Sequence, residues 1–111
     1  MALDNASPAP GTKPTITMKT YGIEITDFRK DTPKIIKLDG WRNAEDAAEA
    51  GWALLEVIAE FDPNLGYENQ GDQFMAYYRQ GVCDENGEEL GGLGAVTIQV
   101  VNPDGTYFED L

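Results

Sequence analysis

The chain has 111 residues, 20 of them acidic and 8 basic, which gives a net charge of −12 at pH 7. This length suits one domain with a buried core, and the acid surplus argues against binding to a nucleic-acid backbone or an anionic membrane, since both attract positive protein surfaces. The sequence has no long apolar run, no basic-then-apolar start and a single cysteine. We therefore expect no transmembrane segment, no secretory signal and a cytoplasmic location.

The first part of the chain divides into an arm and a β-rich segment. Residues 1–14 are rich in proline, alanine and small polar residues, which is typical of a flexible arm, and residues 15–111 are predicted to be one domain. Residues 15–28 favour strand, and a change of apolar parity indicates a bulge near Gly22, or two short strands. A second strand is predicted over residues 34–38, whose lysines can protect a sheet edge.

Residues 43–61 carry the clearest pattern, that of a helix. Asn43 is a favourable N-cap with Asp46 as its capping partner, and Pro63 ends the run. Gly51 lies midway along the apolar face, which indicates that the helix approaches a sheet closely there. With about 100° of rotation per residue, the apolar face comprises Ala47, Gly51, Leu54, Leu55, Ile58 and Phe61.

Three further strands are predicted after the helix. Residues 63–72 are rich in loop-forming Asn and Gly. Residues 74–82 and 95–101 have strand patterns, and residues 106–108 form a short last strand. An Asn-Gly pair within residues 84–89 predicts a hairpin turn. The predicted fold is therefore α+β in two layers, an antiparallel sheet in the order β-β-α-β-β-β with one amphipathic helix packed on one face.

The residue types that several kinds of catalysis require are missing. The chain has no histidine, and its only serine is Ser7, so Ser-His-Asp and Cys-His arrangements cannot form within it. Cys83 precedes an acidic turn, which disfavours its thiolate, and we expect it to be buried and inert. Zinc would need more Cys or His ligands. Carboxylate pairs are plentiful, but glutamates along an exposed helix are usually solvated, so we expect no enzyme and no cofactor.

Two acidic segments match calcium loops in part. Residues 62–73 begin like an EF-hand loop but lack its glycine and its bidentate glutamate. Asp84, Asn86 and Glu88 alternate at the tip of the predicted hairpin. A weak calcium-binding module is therefore an alternative, and an Asn-Gly turn with solubilising acids is the simpler interpretation.

Charge is divided unevenly along the chain. Residues 1–42 hold seven basic and five acidic residues, a balance of +2, whereas residues 43–111 hold fifteen acids and Arg79 alone, a balance of −14. Glutamates four residues apart on a helix are separated by about 6 Å along its axis, and each DNA strand presents a charge about every 3.4 Å. A row of helix carboxylates can therefore imitate backbone phosphates. The predicted partner-binding residues are Glu45, Asp46, Glu49, Trp52, Glu56, Glu60, Tyr67, Asp84, Glu85, Glu88 and Glu89.

In size, acidity, missing catalytic side chains and single-domain α+β build, the chain resembles small inhibitors encoded by phages and mobile elements. These are the anti-CRISPR and anti-restriction proteins that act as nucleic-acid mimics. The resemblance covers composition over the whole chain and carries no functional residue over, since it rests on no shared motif. It implies a target with a positively charged nucleic-acid groove, such as a defence nuclease or a surveillance complex, that is blocked sterically.

The leading hypothesis is a non-enzymatic acidic protein that blocks a basic, nucleic-acid-binding surface of a partner. Its glutamates would pair with Lys and Arg, while Tyr67 and Trp52 anchor the partner, although Trp52 would also suit packing at the rim of the core. One alternative is a phage or mobile-element assembly protein that self-associates through sheet edges and through Tyr77, Tyr78 and Tyr107. Solubility alone would also explain the surplus of acids.

Overall fold

The computed structural model describes residues 19–109. This part of the chain contains strands β1 (Tyr21–Asp27), β2 (Lys34–Trp41), β3 (Leu65–Asn69), β4 (Phe74–Tyr78) and β5 (Gly94–Val101), with helix α1 (Ala44–Phe61) between β2 and β3 in sequence. Neighbouring strands pair antiparallel in one sheet of order β2-β1-β5-β4-β3. The edges of the sheet are therefore β2 and β3. The predicted α+β class, one helix on one face of an antiparallel sheet, is confirmed.

Helix α1 begins and ends where local sequence predicts. The side-chain oxygen of Asn43 accepts a hydrogen bond from the backbone N–H of Asp46 at 2.8 Å, which satisfies one of the unpaired donors of the first turn. Asp62 has extended backbone and closes the helix just before Pro63. The buried residues of the helix recur every fourth position, at Ala47, Gly51, Leu55 and Ala59.

The apolar face differs from its prediction at the C-terminal end of the helix. Phe61 is predicted to lie on this face, but it is 82% exposed, so this prediction is wrong. Ala59 is buried instead. Ala59 and Phe61 are separated by about 200° of helical rotation, so their side chains cannot both face the sheet.

The core lies between α1 and the face of the sheet beneath it. A β-carbon built on Gly51 would lie 3.1 Å from Cγ2 of Ile98 and 3.6 Å from Cγ2 of Ile23. Helix and sheet thus touch at the glycine, and the close approach predicted there is confirmed. The largest fully buried side chains are Ile23, Leu55, Leu65, Val96, Ile98 and Val100.

The strands after the helix differ in position from their predictions. Strand β3 lies inside the predicted loop. Its Gly, Glu and Asn residues do not favour strand by themselves, and the segment is held as a strand by its pairing with β4. Strand β4 ends at Tyr78 instead of residue 82. The predicted strand over residues 106–108 forms only an isolated pairing between Val101 and Tyr107.

The predictions for the first two strands agree more closely with the structure than those for the later strands. A register shift between Tyr21 and Gly22 in the β1–β2 pairing lies where a bulge is predicted, and β2 extends three residues beyond its predicted end at Leu38. The predictions made for residues 1–18, including the flexible arm, lie outside the described residues. Within residues 19–109, no helix has the length and apolar character needed to cross a membrane.

Candidate functional site

The acidic side chains of α1 line one side of the helix. They are Glu45, Asp46, Glu49, Glu56 and Glu60, which we call the acidic flank, and all five are exposed. Within residues 19–109, the ion pairs of the chain use the carboxylates of Asp27, Asp62 and Glu24, and none uses the acidic flank. The negative charge of the flank therefore has no salt-bridge compensation from the described part of the chain.

The acidic flank lies next to edge strand β3. The phenol of Tyr67 on β3 donates a hydrogen bond to Oε2 of Glu56 at 3.3 Å. Partial desolvation and the neighbouring charge of Glu56 raise the pKa of Tyr67 above its ordinary value. The phenol therefore keeps its proton at neutral pH and acts as a hydrogen-bond donor at this edge.

Trp52 packs at the rim of the core beside the acidic flank. Its ring centroid lies 5.1 Å from that of Phe74 in an edge-on arrangement and 5.4 Å from that of Tyr67. Such aromatic pairs contribute about 0.5–1.5 kcal/mol beyond the area they bury. Of the two interpretations of Trp52, rim packing is thus present in the structure, and anchoring of a partner stays a prediction.

The other four predicted acids lie in a separate turn. Asp84, Glu85, Glu88 and Glu89 belong to this acidic turn, which the isolated pairing of Cys83 with Glu89 closes. Oδ1 of Asp84 accepts hydrogen bonds from the N–H groups of Asn86 at 2.8 Å and Glu88 at 2.9 Å. The carboxylate of Asp84 thus organises the turn itself, while the side chains of Glu85, Glu88 and Glu89 are exposed.

The structure brings the acidic flank together with Trp52 and Tyr67, whereas the acidic turn lies in the connection between β4 and β5. The hydrogen bonds that close and shape this turn join residues between 82 and 90. Among residues 19–109, no three acidic or cysteine side chains converge in an arrangement that could hold a metal ion.

Cys83 is exposed, so the prediction of a buried cysteine is wrong. Because β4 ends at Tyr78, Cys83 belongs to the acidic turn and no strand carries it into the interior. Its sulfur lies 3.8 Å from the carbonyl oxygen of Gly81 and 3.9 Å from Oε1 of Glu89. Both neighbours belong to the connection between β4 and β5, so the sulfur lies at the surface of the acidic turn.

The tyrosines predicted for self-association each have contacts within the chain. The ring of Tyr77 covers Gly66, where a β-carbon would lie 2.8 Å from the ring, and Tyr78 packs against the core. The phenol of Tyr107 donates a hydrogen bond to Oε1 of Glu24 at 2.6 Å, and this bond raises the pKa of Tyr107. The three rings therefore serve packing and local hydrogen bonding in the monomer.

The two edge strands of the sheet come from parts of the chain that differ in charge balance. Strands β1 and β2 come from the part of the chain with a balance of +2, and β2 forms one edge of the sheet. Strand β3 forms the other edge, where Tyr67 meets the acidic flank.

Comparison of the chain with protein-family models, with curated proteins and with solved structures returned no match.

Proposed function

We propose that the chain is a cytoplasmic, non-enzymatic binding protein that blocks a positively charged, nucleic-acid-binding surface of a partner protein. The observation that carries this proposal is the acidic flank, five exposed carboxylates that form no ion pair within residues 19–109. Like charges four residues apart on a helix repel one another. A partner that supplies Lys and Arg side chains relieves this repulsion. Binding thus adds the ion pairs that the acidic flank does not form within residues 19–109.

The dimensions of the acidic flank suit imitation of a phosphate backbone. From Glu45 to Glu60 the helix rises about 22 Å, which corresponds to about six phosphates of one DNA strand. Tyr67 and Trp52 add a hydrogen-bond donor and aromatic surface at one border of the flank. Tyrosine and tryptophan are enriched among the residues that dominate binding energy at interfaces.

This proposal predicts competition between the chain and nucleic acid for the same partner surface. Association between a negative protein and a basic groove is accelerated by long-range attraction, which added salt screens. Inhibition by the chain should therefore weaken as ionic strength rises. A phage or mobile-element origin, as in anti-CRISPR and anti-restriction proteins, would make defence nucleases and surveillance complexes the partners.

The test is a panel of purified defence nucleases and CRISPR surveillance complexes, each assayed for nucleic-acid binding with and without the chain. One variant neutralises the flank by Glu45→Gln, Glu49→Gln, Glu56→Gln and Glu60→Gln. A matched variant neutralises four exposed acids elsewhere on the surface, with the same change in net charge. Its substitutions are Asp31→Asn, Glu68→Gln, Asp72→Asn and Glu109→Gln.

We expect the chain to displace nucleic acid from at least one member of the panel, the flank variant to lose this effect, and the matched variant to keep it. The proposal fails if no member is inhibited, if inhibition is insensitive to salt, or if both variants lose it equally. In the last case net charge alone would account for the inhibition.

A further inference from the structure

Within residues 19–109, strand β2 leaves one edge of the sheet open and its side chains uncovered. Its one partner among the described strands is β1, so its other side presents backbone N–H and C=O groups that no described strand pairs. Residues 34–40 are all exposed, and three of them are large and apolar. They are Ile35 at 59%, Ile36 at 40% and Leu38 at 46% exposure.

Two of these side chains lie on the helix side of the sheet. Ile36 pairs with Ile25, and Leu38 with Ile23. Directly paired residues of antiparallel strands share a face of the sheet, and Ile23 lies beneath Gly51 of the helix. Ile36 and Leu38 therefore belong to the core-facing side, at an edge that the second layer of the domain does not fully cover.

The helix is apolar on the side that faces this edge. Glu56 contacts Tyr67 on β3, so the acidic flank lies on the β3 side of the buried row of α1. The opposite side of this row therefore faces β2. This β2-facing side carries Val57, which is 48% exposed, and Phe61, which is 82% exposed. We call Ile36, Leu38, Val57 and Phe61 the apolar corner.

We propose that a second copy of this chain covers the apolar corner, through antiparallel pairing of β2 with β2 about a two-fold axis. Such a contact uses the same patch on both copies. The two sheets join into one, and the apolar corners meet above the joined strands. Each copy then supplies the missing part of the other's second layer, and both open edges gain their backbone hydrogen bonds.

The distribution of charge favours a second copy as the occupant. The acidic flank lies toward the β3 edge, so two copies that meet at β2 keep their acidic flanks at opposite ends of the dimer. If the axis passes through Leu38, Lys37 lies opposite Asp39 of the second copy, twice by symmetry, on the face away from the helices. Lysines on an edge strand discourage unspecific strand addition. Lys37 already forms an ion pair with Glu24 of its own chain at 3.7 Å, and in this pairing it gains a second carboxylate neighbour.

The test is the mass of the full chain by size-exclusion chromatography with light scattering over a wide range of concentration. We expect wild type to approach twice the 12.2 kDa of one chain. Leu38→Glu should stay at the mass of one chain, because it places a charge at the axis. The matched control is Leu93→Glu, which changes an apolar residue of similar exposure, 56%, outside the apolar corner, and it should dimerise like wild type.

A charge exchange tests the register of the pairing. Asp39→Lys should weaken the dimer, and Lys37→Asp combined with Asp39→Lys should restore it. If Leu38→Glu loses its helical circular dichroism, Ile35→Glu on the opposite face replaces it. A wild-type mass of one chain at every concentration would overturn the proposal, as would equal dissociation by Leu93→Glu and Leu38→Glu. Inhibition of a nuclease by the monomeric variant would leave the function of the acidic flank intact.

Discussion

A β-carbon on Gly51 of helix α1 would lie 3.1 Å from Cγ2 of Ile98 on the central strand β5. Ile98 is fully buried, and the ring of Phe74 lies 3.7 Å from the same point. A glycine in the middle of a helix costs about 1 kcal/mol relative to alanine. The close contact with the sheet gives a physical reason for the glycine, because a larger residue here would push the two layers apart.

Gly51→Leu should therefore destabilise the fold. Overpacking of a well-packed contact costs about 1–3 kcal/mol, and we expect the free energy of unfolding to fall by an amount in this range. Ala53→Leu is the matched control, because Ala53 lies on the exposed side of the same helix and should change stability by less than about 0.5 kcal/mol. Urea denaturation measures both, and equal losses in the two variants would contradict the contact.

Glu45 and Glu60, at opposite ends of the acidic flank, should respond with opposite sign to neutralisation. Glu45 lies in the first helical turn, where the helix dipole favours negative charge, whereas the last turn contains Glu60 and no basic residue. Glu60 is also repelled by Glu56, four residues earlier. We expect Glu60→Gln to raise the free energy of unfolding by about 0.5 kcal/mol. Glu45→Gln should lower it by a smaller amount, because the loss of the dipole interaction is partly offset by relief of the repulsion from Glu49.

Denaturation at low and high salt measures these two effects, which should both shrink as salt screens the charges. Shifts of the same sign in the two variants would show that repulsion along the whole flank, and not the helix dipole, dominates its energetics.

Arg29 joins the end of β1 to the end of α1. Its guanidinium lies 2.9 Å from Oδ2 of Asp27 and 3.3 Å from Oδ2 of Asp62. The hydrogen bond from the Arg29 side chain is the main cause that lowers the pKa of Asp27 from its ordinary 3.8. Because the folded pKa lies below the unfolded one, Asp27 stabilises the fold above about pH 3.8, and this contribution is lost as pH falls through the folded pKa.

Arg29→Met should thus lower the free energy of unfolding by about 0.5–1 kcal/mol at neutral pH, the upper range for partly exposed ion pairs. The difference from wild type should narrow as the pH falls below the ordinary carboxyl pKa. Urea denaturation as a function of pH measures it, with Lys30→Met, which removes an exposed neighbouring cation, as the control. A difference that stays constant with pH would assign the role of Arg29 to packing instead.

Local signals account for the parts of the fold that sequence predicts well. Asn43 caps α1 through a bond to a residue three positions later, and Pro63 stops it, so both helix ends follow from neighbouring residues. Strand β3 could not be predicted in this way, because it depends on a partner strand, β4. The exposure of Cys83 could not be predicted either, since it follows from the end of β4 at Tyr78.

Some features of the candidate site also follow from local sequence, whereas others need the tertiary structure. The row of glutamates follows from the helical period and is exposed as predicted. The meeting of Tyr67 with Glu56 and Trp52 needs β3 at the edge of the sheet beside the helix. The apolar corner needs β2 at the other edge, and its only trace in the sequence is the pair of lysines around Ile35 and Ile36.

By itself, the sequence determined an amphipathic helix, a charge balance that changes from +2 to −14 along the chain, and side chains unsuited to histidine-dependent catalysis. The charge balance and the side-chain types are sums over the chain, and the helical pattern repeats every few residues. None of these properties depends on the topology of the fold. Only the tertiary structure decided that β2 and β3 are opposite edges of the sheet, and so that the acidic flank lies beside β3 and away from β2. Strand pairing joins residues distant in sequence, and no local period specifies which strands become neighbours.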